Sequence, residues 1–536
     1  MLNVFCLLLL LLFPVQAIAA NVYCDFAAGS DVPPGDGTAA HPWQTIEKAD
    51  DSLTGGDEVR VAKTTDTALT GTIAFVNGNT DLATSADLSG VLSAGDYIGK
   101  GTDTEAWWLV TSCDADSVTL TREYWGVTET VAAYEAGRIA WSAGNEQDIG
   151  VSGVSAANRL KITGGWDLTL ETRTGYTFLD GNSASGNCID TNSQDYLEIS
   201  YFRVVEFDTS QLQVNGTVGS YIHHYFIGES TSSYNSYIGS SSLNTFDTIV
   251  VGGSIIDGLN IITNSVLNTF TNIYTYSVGN GASDYAIDIA NSCPLNYFKN
   301  IYLYNGLDKM FNIETIVIIE DITIDTSTGP GISFTLSSST ASGSKISDPV
   351  ISNCTYGIYT NCAIGIEVYN PTFTSCSTAD IGINASYAAV PGNPGGVKVH
   401  NFGGTANDDR IYLANGVIYK DSAGARSGYC LKFDPSSAIY PIAWKVGTVK
   451  VTEAGDFTLS VYLKDDADFN GTVTMWATTV NRMAESFTEK TMTTSYAENT
   501  ITVAAADLVD EEYMELWVSV TGTAGNVFVD DFSYSQ

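Results

Sequence analysis

Residues 242–249, "SLNTFDTI", residues 266–273, "VLNTFTNI", and residues 294–301, "PLNYFKNI", repeat one pattern, Leu-Asn-x-Phe-x-x-Ile. The copies align Leu243 with Leu267 and Leu295, and Asn244 with Asn268 and Asn296. Weaker copies continue in both directions. The apolar positions that close them are Ile199, Ile222, Ile249, Ile273, Ile301, Ile322, Val350 and Thr372, spaced 21 to 28 residues apart. A unit this short cannot bury a core by itself and must stack on its neighbours. The leucine-rich-repeat spacing is missing, and a propeller blade needs about 40 residues. A parallel β-helix remains, in which the recurrent asparagines form a ladder whose side-chain amides bond from coil to coil.

Inside each unit the residues alternate, as in Ile273-Tyr274-Thr275-Tyr276 and Ile301-Tyr302-Leu303-Tyr304, so every second side chain points into the stack. This places Tyr274, Tyr276, Tyr302 and Tyr304 outward, with successive coils about 4.8 Å apart. Four phenol rings on one face suit a sugar ring, with hydroxyls for hydrogen bonds. A purely stabilising aromatic ladder is the competing reading. The register also aligns Cys354 with Cys376, about 4.8 Å apart and inside the Cα range for a disulfide. A stack of unbridged thiols is the alternative.

Upstream of the coils, "HPWQTIEKADDSLTGGDEVRV" (41–61) predicts a helix over 45–53, with Ile46, Ala49 and Leu53 on one face and Glu47, Lys48, Asp50 and Asp51 on the other. Such a helix covers the open end of the stack, which would otherwise expose core and unpaired backbone. Cap and coils together resemble the right-handed parallel β-helix (pectate lyase-like) superfamily, which includes pectate lyases, polygalacturonases and tailspike-like proteins. A lyase of that kind implies paired basic residues beside acidic calcium ligands, yet Arg203, Lys299, Lys309, Lys345 and Lys398 are scattered along the coils. The polygalacturonase motifs are absent. Outward acids such as Asp190, Glu198 and Asp288 leave a glycosidase pair open, against a solvated face. His223 and His224 are strand neighbours and should point to opposite faces, which argues against one shared metal ion.

Residues 1–20, "MLNVFCLLLLLLFPVQAIAA", read as a secretory signal peptide. The β-helix is expected over 21–394, interrupted at about 70–137 by short strands and Gly/Asp turns that suggest a small inserted β-barrel. After "PGNPGG" the period is lost, and 395–536 reads as antiparallel strands. This part resembles the jelly-roll sandwiches of carbohydrate-binding modules. Alternation places Tyr462, Trp476 and Trp517 outward as a candidate glycan site, and Trp444 in the core. The resemblance also implies a structural calcium at Asp530 in "VFVDDF". No organic cofactor is expected.

The net charge of −38, from 61 acidic and 23 basic residues, argues against nucleic acid or an anionic membrane as partner, and no segment after the leader is long and apolar enough to span a bilayer. Nine cysteines, less Cys6 of the leader, leave an even number for an oxidising compartment. The sequence thus predicts an all-β secreted protein that binds an extracellular polysaccharide, as an adhesin or matrix component. A polysaccharide lyase or glycoside hydrolase on the same coils is one alternative. A homo-oligomeric subunit of an extracellular fibre is the other.

Overall fold

The computed structural model describes residues 20–535, apart from 52, 101–106, 141–145, 185, 229–234, 254–256, 277, 279–283, 307, 336–342, 361–365, 384–396, 401–409, 414–415, 422–425, 427–429, 435–441, 451–455, 480–484 and 505–512. The predicted leader lies outside the described residues. The main body is a parallel β-helix of about seven coils. One ladder runs through the strands Leu197–Phe207, Tyr221–Gly228, Thr245–Gly252, Thr269–Tyr276, Asn296–Gly306 and Val317–Ser327, all paired in parallel. A second parallel ladder carries Asn187–Asp190, Ser210–Asn215, Ser236–Gly239, Leu259–Ile262, Tyr285–Ile289 and Lys309–Ile313.

The repeated Leu-Asn-x-Phe pattern explains why the coils stack in register. Asn244, Asn268 and Asn296 are buried, and each side-chain oxygen accepts from the backbone N–H one coil back: Ser220 to Asn244 at 2.8 Å, Asn244 to Asn268 at 3.0 Å, Asn268 to Asn296 at 2.9 Å. Their amide groups donate to the carbonyls of Thr217, Ser241 and Ser265. Phe246, Phe270 and Phe298 stack beside them, with centroids 4.8 and 4.6 Å apart.

The apolar column is not the single line that the period suggests. Ile199 and Ile222 pair onward with Phe246, whereas Ile249, Ile273, Ile301 and Ile322 form a separate column that runs back through Tyr225 to Phe202. The cause is a left-handed residue at the same register position inside each strand: Tyr201, His224, Thr248, Asn272, Asn300 and Asp321 all have φ between 50° and 63°. This residue resets the alternation, so that Phe270 and Ile273, three apart, both point inward. Val350 pairs with Thr323 rather than Ile322 and is 45% exposed, because a slip of one residue reverses the face.

The N-terminal helix is one turn, Ile46–Asp50, capped by Thr45, whose hydroxyl accepts from the Lys48 N–H at 3.2 Å. Ile46, Ala49 and Leu53 enter the core as predicted. Asp50, expected on the wet face, is buried: its carboxylate accepts from the Gly150 N–H at 2.7 Å, and burial raises its pKa to about 6.

The insertion is a six-stranded antiparallel sheet with a two-stranded ribbon, Ile73–Phe75 against Glu129–Val131. Its core of Phe75, Tyr97, Trp108 and Tyr124 is continuous with Phe178, Val205, Phe226, Val250 and Tyr276 on the outer face of the first ladder, so the insertion sits on the coils. At the other end, the strand Arg410–Leu413 pairs in parallel with Ala379–Ile383 and then antiparallel with Gly416–Asp421. The second ladder thus passes without a break into an antiparallel sheet that includes Cys430–Asp434, Val527–Ser535, Phe457–Asp465 and Ala497–Val503. A separate four-stranded antiparallel sheet carries Ile442–Lys450, Tyr513–Thr521, Thr472–Thr479 and Glu485–Lys490.

No disulfide forms among the described cysteines, and Cys354 and Cys376 are not bridged. They do stand in register, since Val350, Ile351 and Ser352 pair with Thr372, Phe373 and Thr374. In-register parallel neighbours send their Cβ atoms the same way, which holds them near the strand spacing of about 4.8 Å, beyond the usual disulfide Cβ separation of about 3.5–4.5 Å. Burial, followed by the neighbouring Cys376, pushes the Cys354 thiol far above its ordinary value.

Candidate functional site

The tyrosines chosen from sequence meet in two stacked pairs. Tyr274 lies on Tyr302 with centroids 5.0 Å apart and planes 4° apart, and Tyr276 on Tyr304 at 5.6 Å and 12°. Tyr276 is not outward in the sense predicted: it is 5% exposed and meets the edge of Trp108 from the insertion at 6.2 Å. The half-buried Tyr274, Tyr302 and Tyr304 face Asn77, Val127 and Thr128 of the insertion across a groove of about 550 Å³. Burial raises the phenol pKa of Tyr274 and Tyr304, so both present neutral hydroxyls at any physiological pH.

On another part of the same ladder is a run of cations and rings that the sequence reading missed. Arg203 does not stand apart from other cations: with Lys63 and Arg173 it lines a pocket of about 460 Å³, together with Asp66, Tyr176 and Tyr201. Arg203 is buried between Trp107 and Tyr176, its guanidinium carbon 4.4 and 4.3 Å from their centroids, and pairs with Asp66 at 2.8 Å. Lys63 pairs with Asp167 at 3.0 Å. The guanidinium of Arg173 lies 3.5 Å from the centroid of Tyr201. Lys63 and Arg173 precede the repeats, and only their rarity in so acidic a chain marked them.

Tyr201 stacks on His224 at 4.7 Å, and His223 stacks on Tyr221 at 4.3 Å. The histidines do not point to opposite faces. His224 is the left-handed residue of its strand, with φ 50°, so strict alternation fails there and the two Nδ1 atoms lie 2.9 Å apart. His223 Nε2 lies 3.6 Å from Glu198, and this contact holds the Glu198 carboxyl below its ordinary value against the opposing effect of burial.

Asp190, Glu198 and Asp288, the acids left open as a glycosidase pair, are spread over both ladders. Asp190 and Asp288 share a column of the second ladder through Gln213, Tyr237 and Asn260, four strand spacings or roughly 19 Å apart, and Glu198 belongs to the other ladder. Asp190 instead meets Glu146 and Asp148, with one carboxylate oxygen from each within 4.8 Å of the others. Burial first, then these two neighbours, raise Asp190 to about 6. Such a trio can share a proton or hold a divalent cation.

The C-terminal residues fall on two sheets. Tyr462 lies on the sheet continuous with the coils, half-buried under Arg426 with 3.7 Å from guanidinium carbon to centroid. Trp476 and Trp517 are register partners on the other sheet; the side chain of Trp476, like that of Trp444, lies outside the described residues. Trp517, predicted outward, is 8% exposed, because its strand is central in the sheet and has a neighbour on each side. Asp530 is buried, and its two oxygens accept from the N–H groups of Arg426 at 2.6 Å and Asp531 at 2.8 Å.

No protein family matches the chain, and no curated protein matches it. Among solved structures it is similar to pectate lyase Pel9A, at 14% identity and TM-score 0.36, covering 77% of this chain and 82% of that one. It is also similar to tailspike protein gp49 from Acinetobacter baumannii bacteriophage Fri1, a capsular polysaccharide depolymerase, at 10% identity and TM-score 0.27, covering 89% and 79%. A third match is TmCBM61 in complex with β-1,4-galactotriose, at 16% identity and TM-score 0.19, covering 23% and 83%.

Proposed function

We propose that this is a secreted protein that binds an extracellular glycan in the groove between the coils and the insertion, as an adhesin or matrix component. The observation that carries this reading is the tyrosine groove. Tyr274, Tyr302 and Tyr304 present ring surface and hydroxyls on a rigid ladder, and Asn77 and Thr128 face them with polar groups. Apolar ring area combined with a few placed polar groups is what a sugar requires. Retention of the full chain on a panel of algal, plant and bacterial polysaccharides tests it. Tyr302→Ala should lose retention and keep the parent's melting temperature; retention equal to the parent's would reject the groove.

A hydrolase reading is favoured by one feature. Asp190 keeps its proton up to about pH 6 beside two other carboxylates, the state a general acid needs. Release of reducing ends from a bound polysaccharide, abolished in Asp190→Asn, would support hydrolysis; retention without release would leave binding alone.

A further inference from the structure

We propose that the pocket lined by Lys63, Arg173, Tyr201 and Arg203 is a second site, which takes the carboxylate or sulfate group of an acidic glycan. It extends the glycan reading to a ligand class and a location of its own, away from the tyrosine groove.

Charge points to an anion. The chain has 23 basic residues against 61 acidic ones, yet three of the 23 line this one pocket with a single acid, Asp66. That acid is already paired with Arg203 at 2.8 Å, and Lys63 is paired with Asp167. Arg173 differs from both: among the described residues no carboxylate pairs with it. At 3.5 Å from the Tyr201 centroid it uses the face of its guanidinium, and stacking leaves the in-plane N–H donors available for a bidentate anion. Thr64, Thr65 and Thr174 add hydroxyl-bearing walls.

Shape points to a chain of sugars. From Arg173 the contacts run through Tyr201, His224, His223 and Tyr221 to Arg159, whose guanidinium carbon lies 5.8 Å from the Tyr221 centroid. Rings and cations thus succeed one another from the pocket across two coils. A polymer with an anion on its sugars meets charge at the pocket and ring surface beyond it. The strongly negative remainder of the molecule disfavours other polyanions that would have to cover a larger area.

The test is affinity electrophoresis of the full chain in gels containing polygalacturonate, dextran sulfate or neutral dextran, at low and high salt. The parent should be retarded by an acidic polymer and released by salt. Arg173→Ala should weaken this by roughly tenfold or more, the loss of a charge-assisted contact, and Arg173→Lys should fall between. Arg173 is exposed, so its melting temperature should match the parent's. Retardation by polygalacturonate alone assigns a carboxylate, by dextran sulfate alone a sulfate ester, and by both a site for either anion. No retardation by either acidic polymer, or an Arg173→Ala variant equal to the parent, overturns the proposal. If acidic retention is lost in Tyr302→Ala but kept in Arg173→Ala, the pocket is rejected and the groove stands.

Discussion

The Nδ1 atoms of His223 and His224 lie 2.9 Å apart, and the opposite nitrogen of His223 faces Glu198 at 3.6 Å. Only one of the two Nδ1 atoms can donate across this contact, so the other must accept. Tyr201, Tyr221, Lys161, Arg159 and Arg173 complete the surroundings. The Glu198 carboxyl is held below its ordinary value first by the His223 contact. A depressed carboxyl contributes stability that is present above its unfolded pKa of about 4.3 and is lost as pH falls through the folded value. His223→Ala should therefore raise the Glu198 pKa in an NMR titration and shift acid unfolding to higher pH. An unmoved Glu198 would show that the contact does not act.

Asp257 should behave in the opposite sense. Burial, with smaller contributions from Asp288 and Asp284, raises it to about 7. The folded state therefore binds a proton that the unfolded chain has released, and stability falls as pH rises from about 4 to about 7. Asp257→Asn removes that fall, and should stabilise by roughly 1–3 kcal/mol at pH 8 and by about a third as much at pH 5. Asn260, whose Nδ2 donates to Asp257 at 3.2 Å and whose Oδ1 has no partner, can turn its amide to accept the new donor. Melting curves at the two pH values check it; a loss of stability at pH 8 would contradict it.

Asn268 tests the ladder. Replacing it with Ala leaves the Asn244 N–H buried without its partner, while the Ser241 carbonyl keeps the bond from the Val266 N–H. At about 1–3 kcal/mol for an unmet buried group, the cost should be roughly 1–3 kcal/mol. Denaturant unfolding of the variant measures it, and a change below about 1 kcal/mol would mean that water or a neighbour replaces the amide.

Cys354 and Cys376 should both react with an alkylating reagent when the unreduced protein is denatured, because their parallel register keeps them apart. A bridged pair, seen as protection of both and a single cross-linked peptide in mass spectrometry, would contradict the geometry.

The parts of this molecule that repeat were legible. The Leu-Asn-x-Phe spacing is a statement about register, and it entails the coils, the asparagine ladder and the stacked phenylalanines. The capping helix was legible because its apolar face has helical spacing. Three things were hidden. Alternation is a rule for extended residues, and the left-handed residue in each strand breaks it at Tyr201, His224 and Thr248, where no glycine advertises the turn. The pocket was hidden because its members come from the end of the strand Glu58–Ala62, the short strand Thr172–Arg173 and the strand Leu197–Phe207, far apart in the chain. Likewise nothing local to Tyr276 announces that residues 70–137 fold back over it.

The unbroken sheet from the last coil into the C-terminal strands has a mechanical consequence. Val527–Ser535, at the end of the described chain, lies inside that sheet, between Cys430–Asp434 and Phe457–Asp465. A pull on this strand is transmitted to Arg410–Leu413 and the coils through rows of backbone hydrogen bonds, not through a slack tether. Antiparallel neighbours pulled along their length resist together in shear, whereas coils pulled apart along the stack would open one ladder at a time. If a ligand held at the coils is dragged away from an anchored C terminus, the coils should yield before the junction does.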